Sequence, residues 1–147
     1  MVYADGSHFF RRKGNFLVAA NLDDVTRRRA THIIGENDRV LRGVQALRSN
    51  QLEAFGDLMF ASHASSRVNF ENSTSYLDTL VDLARQTPGV FGSRLTGGGF
   101  GGSTVSLVER ERADEIVQTI SSAYHRMTGA TCSPTQTEPS EGARIIS

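Results

Sequence analysis

The sequence predicts an α+β fold, with helices packed on one face of a mostly antiparallel four-stranded sheet and an N-terminal helical extension. Three observations predict it. From about residue 25 to residue 87, apolar residues recur at the spacing of helices. At residue 90 the period switches to alternation, in two β-prone runs that flank a cluster of glycines. A further helical stripe and two short extended runs follow, which gives three helices and then β-β-α-β-β.

Residues 1–22 form an N-terminal segment, partly ordered, in which Phe9, Phe10, Phe16, Leu17 and Val18 accompany a basic cluster of Arg11, Arg12 and Lys13. A solvated turn accounts for that cluster. Residues 23–147 form the domain proper. Asn21, Asp23 and Asp24 offer an N-cap. Behind them Ala30, Ile33, Ile34, Val40, Leu41, Val44 and Leu47 define an amphipathic helix over about 25–48. Ser49 and Asn50 break it. Leu52, Phe55, Leu58 and Met59 carry a second helix toward Ser66. Ser73 or Thr74 can cap a third, with Leu77, Leu80, Val81 and Ala84 on its buried face, and Pro88-Gly89 stops it. Residues 90–95 read as a strand, 97–102 as a loop and 103–109 as a second strand, close enough to form a hairpin. Residues 111–127 are helical through Ala113, Ile116, Val117, Ile120, Tyr124 and Met127, and Gly129 ends that helix. Residues 130–136 and 143–146 complete the expected sheet.

At 147 residues the chain can bury a core without staples. Sixteen basic side chains balance sixteen acidic ones. That removes the electrostatic footprint of a dedicated nucleic-acid binder. No apolar run approaches the ~18–20 residues of a membrane span, and the N-terminus has no signal-peptide apolar core. A single cysteine, Cys132, cannot form an internal disulfide. A cytoplasmic location is the default expectation.

Five of the six residues 97–102 are glycine, broken by Phe100. One or two would satisfy a turn that needs positive φ. The rest cost backbone entropy, and close approach of a phosphate to main-chain N–H groups is the better explanation. Gly97, Gly99 and Gly102 satisfy G-x-G-x-x-G, but a strand follows where the dinucleotide fingerprint needs a helix. The protein-kinase partners V-A-I-K, H-R-D and D-F-G are absent. An RNA-recognition sheet wants aromatics spaced along a strand, and Phe100 stands alone in the loop.

These residues carry a resemblance. The stretch PGVFGSRLTGGGFGGSTVSLV, residues 88–108, resembles the third conserved motif of galactokinases, members of the GHMP small-molecule kinase superfamily. DDVTRRRATHIIGENDRV (23–40), FGDLMFASHASSRVNFENSTSYLDTL (55–80) and PSEGARII (139–146) are similar to that family's helices and closing strand, in the same order. The resemblance implies a ferredoxin-like C-terminal domain from an ATP-dependent sugar-1-kinase acting on galactose. Thr96, Gly97, Gly98, Gly99, Phe100, Gly101 and Gly102 would line the sugar and phosphate pocket, with Gly99 and Gly101 at closest approach. ATP and Mg would serve the complete enzyme. An N-terminal domain would supply the phosphate loop, the catalytic Asp and its supporting Arg, so no catalytic residue is assigned here and the chain alone is expected to be inactive. Partners would be that domain or a second copy through an exposed face, with neither nucleic acid nor membrane. Two departures stand out: Ser103 where the family often has Cys, and Ser73-Thr74-Ser75-Tyr76-Leu77-Asp78 where it has Ser-Cys-Pro-Glu-Leu-Asp. The alternative is a standalone ligand-binding or regulatory module of the same fold.

Other residues have plainer readings. His32 and His63 suit surface or packed positions on helices better than catalysis or zinc binding. Arg27, Arg28 and Arg29 suit a solvated face, one of them paired with Asp23 or Asp24. Arg94, just before the loop, can meet an anion or an acid of another domain, though pairing within the chain is favoured. Cys132 reads as inert core.

Overall fold

The computed structural model describes residues 22–139. Expectations for residues 1–21 and for the strand at 143–146 lie outside the described residues. Four helices and a two-stranded antiparallel sheet follow in the order α1 (Asp24–Arg48), α2 (Leu52–Ser65), α3 (Ser75–Gln86), β1 (Val90–Thr96), β2 (Ser103–Val108) and α4 (Ala113–Thr128). A π-helical segment, Ser66–Phe70, extends α2, and a 3₁₀ turn, Arg110–Arg112, precedes α4.

Local chemistry sets the boundaries. Asp23 caps α1 by accepting from the Thr26 N–H at 3.0 Å, and the Thr26 hydroxyl donates to its other oxygen at 2.6 Å. These bonds, led by the hydroxyl, hold the Asp23 carboxyl below its usual pKa. Thr74 rather than Ser73 caps α3, accepting from the Leu77 N–H. Gly129 closes α4 in the left-handed region, at φ 71°.

β1 and β2 form the expected hairpin, with Thr96 opposite Ser103 and an irregularity between Val90 and Gly92. α2 and α3 lie against β1. Leu58, Met59, Leu77, Val81, Ala84, Leu95, Ile116 and Tyr124 form the core. The approach of α2 to β1 is close enough that a Cβ on Gly56 would lie 1.9 Å from the Phe91 carbonyl oxygen. Only glycine fits there.

Two expectations need correction. Residues 130–136 form no strand. Pro134 interrupts the N–H donors such a strand would need. The segment is tied to α4 instead, by Cys132 Sγ to Ser121 and Gln136 Nε2 to Asp114. A cleft of about 1000 Å³ lies among β2, α4 and residues 131–139. Among the described residues the sheet therefore has two strands, not four. The second correction concerns α1. Ile33, Ile34, Val40, Leu41, Val44 and Leu47 face outward, 41–64% exposed, while His32, Gly43 and Ala46 face the core.

Candidate functional site

The glycine loop is the tip of the β1–β2 hairpin. Thr96 and Ser103 are its exposed end posts, and Phe100 projects from it, 76% exposed. Gly97, Gly99, Gly101 and Gly102 take positive φ, and so does Phe100, at 60°. Gly98 does not.

The loop has two unlike sides. On the inner side, Phe100 N–H donates to the Asn72 carbonyl at 2.7 Å, and Asn72 Nδ2 donates to the Gly98 carbonyl at 3.2 Å. A Cβ on Gly99 would lie 2.1 Å from that Asn72 carbonyl oxygen. The Cα face of Gly99 is thus packed against the chain itself. On the outer side, a Cβ on Gly97, Gly98, Gly101 or Gly102 would meet nothing within 4 Å. No acceptor among the described residues takes the amide hydrogens of Gly97, Gly98, Gly99, Gly101 or Gly102. Chemically this is a run of main-chain donors available to an anion or a sugar oxygen.

Two polar clusters support the base of the loop. His63 of α2 is buried, 4% exposed. Its Nδ1 accepts from the Leu95 N–H at 3.2 Å, so the proton sits on Nε2 and is donated to Asp78 at 3.1 Å. The Asp78 carboxylate also takes the Ser73 hydroxyl at 2.6 Å and Arg67 Nε at 3.1 Å. Burial lowers the His63 pKa and outweighs the opposing pull of Asp78. The second cluster centres on Glu36 of α1, which accepts from Arg39 Nε at 2.6 Å and from the Ser62 hydroxyl at 2.8 Å. Burial pushes the Glu36 pKa up, but those bonds and the charges of Arg39 and Arg94 bring it below the usual carboxylate value. Arg94 Nη2 lies 3.6 Å from Glu36 and its Nε donates to the Leu95 carbonyl. It is therefore paired within the chain. His32 is buried against Ser65, and burial likewise lowers its pKa. Arg27 and Arg28 both pair with Asp24, where the sequence suggested one such pair, and Arg28 and Arg29 pair with Glu71 instead of forming a purely solvated face. Cys132 is half-buried and lies off any strand. Among the described residues no three His, Cys, Asp or Glu side chains gather as a metal site.

Sequence reasoning did not single out Asn72. Its one signal is position, in the polar run Glu71-Asn72-Ser73-Thr74 between two helices.

Comparison with known proteins gives this geometry a context. The family described as GHMP kinases C terminal matches residues 44–126, more than half of the chain. A galactokinase from Chloroflexus aggregans is 50% identical over 103 residues, which is 70% of this chain and 26% of the relative. One from Exiguobacterium sibiricum is 43% identical over 124 residues, 84% and 32% respectively. The crystal structure of Lactococcus lactis galactokinase complexed with galactose superimposes with a TM-score of 0.71 at 34% identity, covering 74% of this chain and 28% of that one. The chain thus spans about a quarter to a third of the length of these relatives. With an α+β fold, a glycine hairpin and several separated motifs all in agreement, the chain belongs to the GHMP kinase C-terminal family and corresponds to the C-terminal part of a galactokinase-like protein.

Proposed function

We propose that this chain is the C-terminal part of a sugar-1-kinase that phosphorylates galactose with ATP, working in the cytoplasm with an N-terminal domain. The carrying observation is the loop at the tip of the hairpin, where the amides of Gly97, Gly98, Gly99, Gly101 and Gly102 meet no acceptor among the described residues and the Cα faces of Gly97, Gly98, Gly101 and Gly102 are open. Phosphoryl transfer depends on positioning and on charge stabilisation. Main-chain donors supply both without bulky side chains. Thr96 and Ser103 frame those donors, and Phe100 offers an apolar surface to whatever closes over them. Mg-ATP, when bound, supplies the transferred group. We assign neither a metal ligand nor a catalytic base to this chain, and Arg94, engaged by Glu36, is left a supporting role.

The partner surface is the outward stripe of α1. Six apolar side chains there are exposed, and the chain spans only a fraction of its relatives. An N-terminal domain covering that stripe accounts for both. No described helix is long and apolar enough to cross a membrane.

The test is an ADP-release assay with galactose and Mg-ATP, using this chain alone and then mixed with the N-terminal portion of a galactokinase. We expect silence alone and turnover on mixing. Turnover by the chain alone would overturn the assignment of catalytic groups to the other domain.

A further inference from the structure

Asn72 sits directly beneath the loop and is buried. Three consecutive loop residues bear on it: Gly98 through its carbonyl, Gly99 through its Cα and Phe100 through its N–H. All three contacts lie on the inner side, opposite the open one. Asn72 is itself held. Its N–H donates to the Ser66 carbonyl at 3.3 Å. The preceding residue, Glu71, turns the chain with a left-handed φ of 58°, a conformation unfavourable for a glutamate. Arg28 and Arg29 of α1 grip the Glu71 carboxylate at 2.7 and 2.5 Å, and their hydrogen bonds and charge lower its pKa.

The side chain does not serve stability in an obvious way. Asn72 Oδ1 is buried with no donor, a cost that an apolar side chain would avoid. What the amide supplies is the bond from Nδ2 to Gly98, which fixes the one loop glycine that has no left-handed φ.

We propose that Asn72 is a positioning residue: it sets the shape of residues 97–102 from the inner side, so that the outer amides are arranged before any ligand arrives. Glu71 and its two arginines aim it. For the identity of the ligand this rests on the kinase reading above. The shape-setting role stands without it.

The test uses Asn72→Asp, equal in shape but presenting a carboxylate to the Gly98 carbonyl, and Asn72→Ala, which lacks both donor and charge. In the 147-residue chain, glycine amide resonances and hydrogen exchange at Phe100 report loop shape. We expect Asn72→Asp to shift the amides of 97–102 and to speed Phe100 exchange about tenfold, with Asn72→Ala between it and the parent. Mixed with the N-terminal portion of a galactokinase, kcat should fall ~10- to 100-fold for Asn72→Asp, the scale of a small misplacement of reacting groups. KM for ATP should move much less, and the melting temperature should stay within a few degrees. Unchanged loop resonances would overturn the proposal, as would a disturbed loop with full kcat. So would losses of kcat that merely track losses of melting temperature across both variants. If Asn72→Asp does not fold, Asn72→Ala carries both readouts. If the unmodified mixture shows no turnover, the kinase reading fails and the resonances alone decide on Asn72.

Discussion

An added Cβ at Gly99 would lie 2.1 Å from a backbone oxygen, at a φ of 81°, whereas at Gly98 it would meet open space at an ordinary φ. The two neighbours are glycine for different reasons. Gly99 serves this chain's own structure. Gly98 is required neither by its conformation nor by any described neighbour. Gly99→Ala should therefore destabilise the chain by about 1–3 kcal/mol through overpacking and strain. Gly98→Ala should leave stability within about 0.5 kcal/mol, or raise it slightly by restricting the unfolded chain. Under the proposed function Gly98→Ala should still depress turnover of the mixture with the N-terminal portion, because its methyl enters the open side. Chemical denaturation of both variants, alongside the ADP-release assay, checks the contrast. A Gly98→Ala variant that unfolds early would refute this division of roles. Sequence reasoning singled out Gly99 and Gly101 for close approach but could not see the contrast between Gly98 and Gly99, because that contrast comes from Asn72, some 26 residues away along the chain.

At the scale of elements, His63 joins α2, α3 and β1 through one ring. Protonating it would turn Nδ1 from an acceptor into a donor facing the Leu95 N–H. Its folded pKa lies below the ordinary value of about 6.5, so the unfolded chain takes up the proton first as pH falls. His32 is shifted in the same direction. The contribution is intact above pH ~6.5 and is lost as pH drops through that value toward the folded pKa. Melting temperature should decline from pH 7 to pH 5.5, and His63→Asn, which keeps an acceptor near Nδ1 without titrating, should flatten the decline. An unaltered pH profile in that variant would count against it. The helices were legible in the sequence by their apolar stripes and, although α2 and α4 have no side-chain cap, best where cap and stop signals agreed with the stripe. α3 shows this well, with Thr74 at its start and Leu77, Val81 and Ala84 buried. The run 130–136 misled because its composition suits a strand while its one proline and its ties to α4 do not.

At the scale of the whole molecule, the stripe on α1 was visible in the sequence but its direction was not. Periodicity marks an apolar face without saying whether the same chain covers it. Its exposure leads to a clean expectation. Leu41→Glu, at a position 48% exposed, should change the stability of the isolated chain by about 0.5 kcal/mol or less and should abolish complementation by the N-terminal portion. Analytical ultracentrifugation of the mixture reads this directly, and unimpaired association of the variant would move the partner surface elsewhere. Gly56 of α2 and Gly92 of β1 also bear on the molecule as a whole. They meet backbone to backbone, with a Cβ on Gly92 falling 2.4 Å from the Gly56 Cα. Side chains elsewhere leave small voids that hydrostatic pressure can squeeze out. This contact has none to give up. Under hydrostatic pressure the foot of the hairpin is therefore expected to keep its spacing from α2 while looser layers draw in.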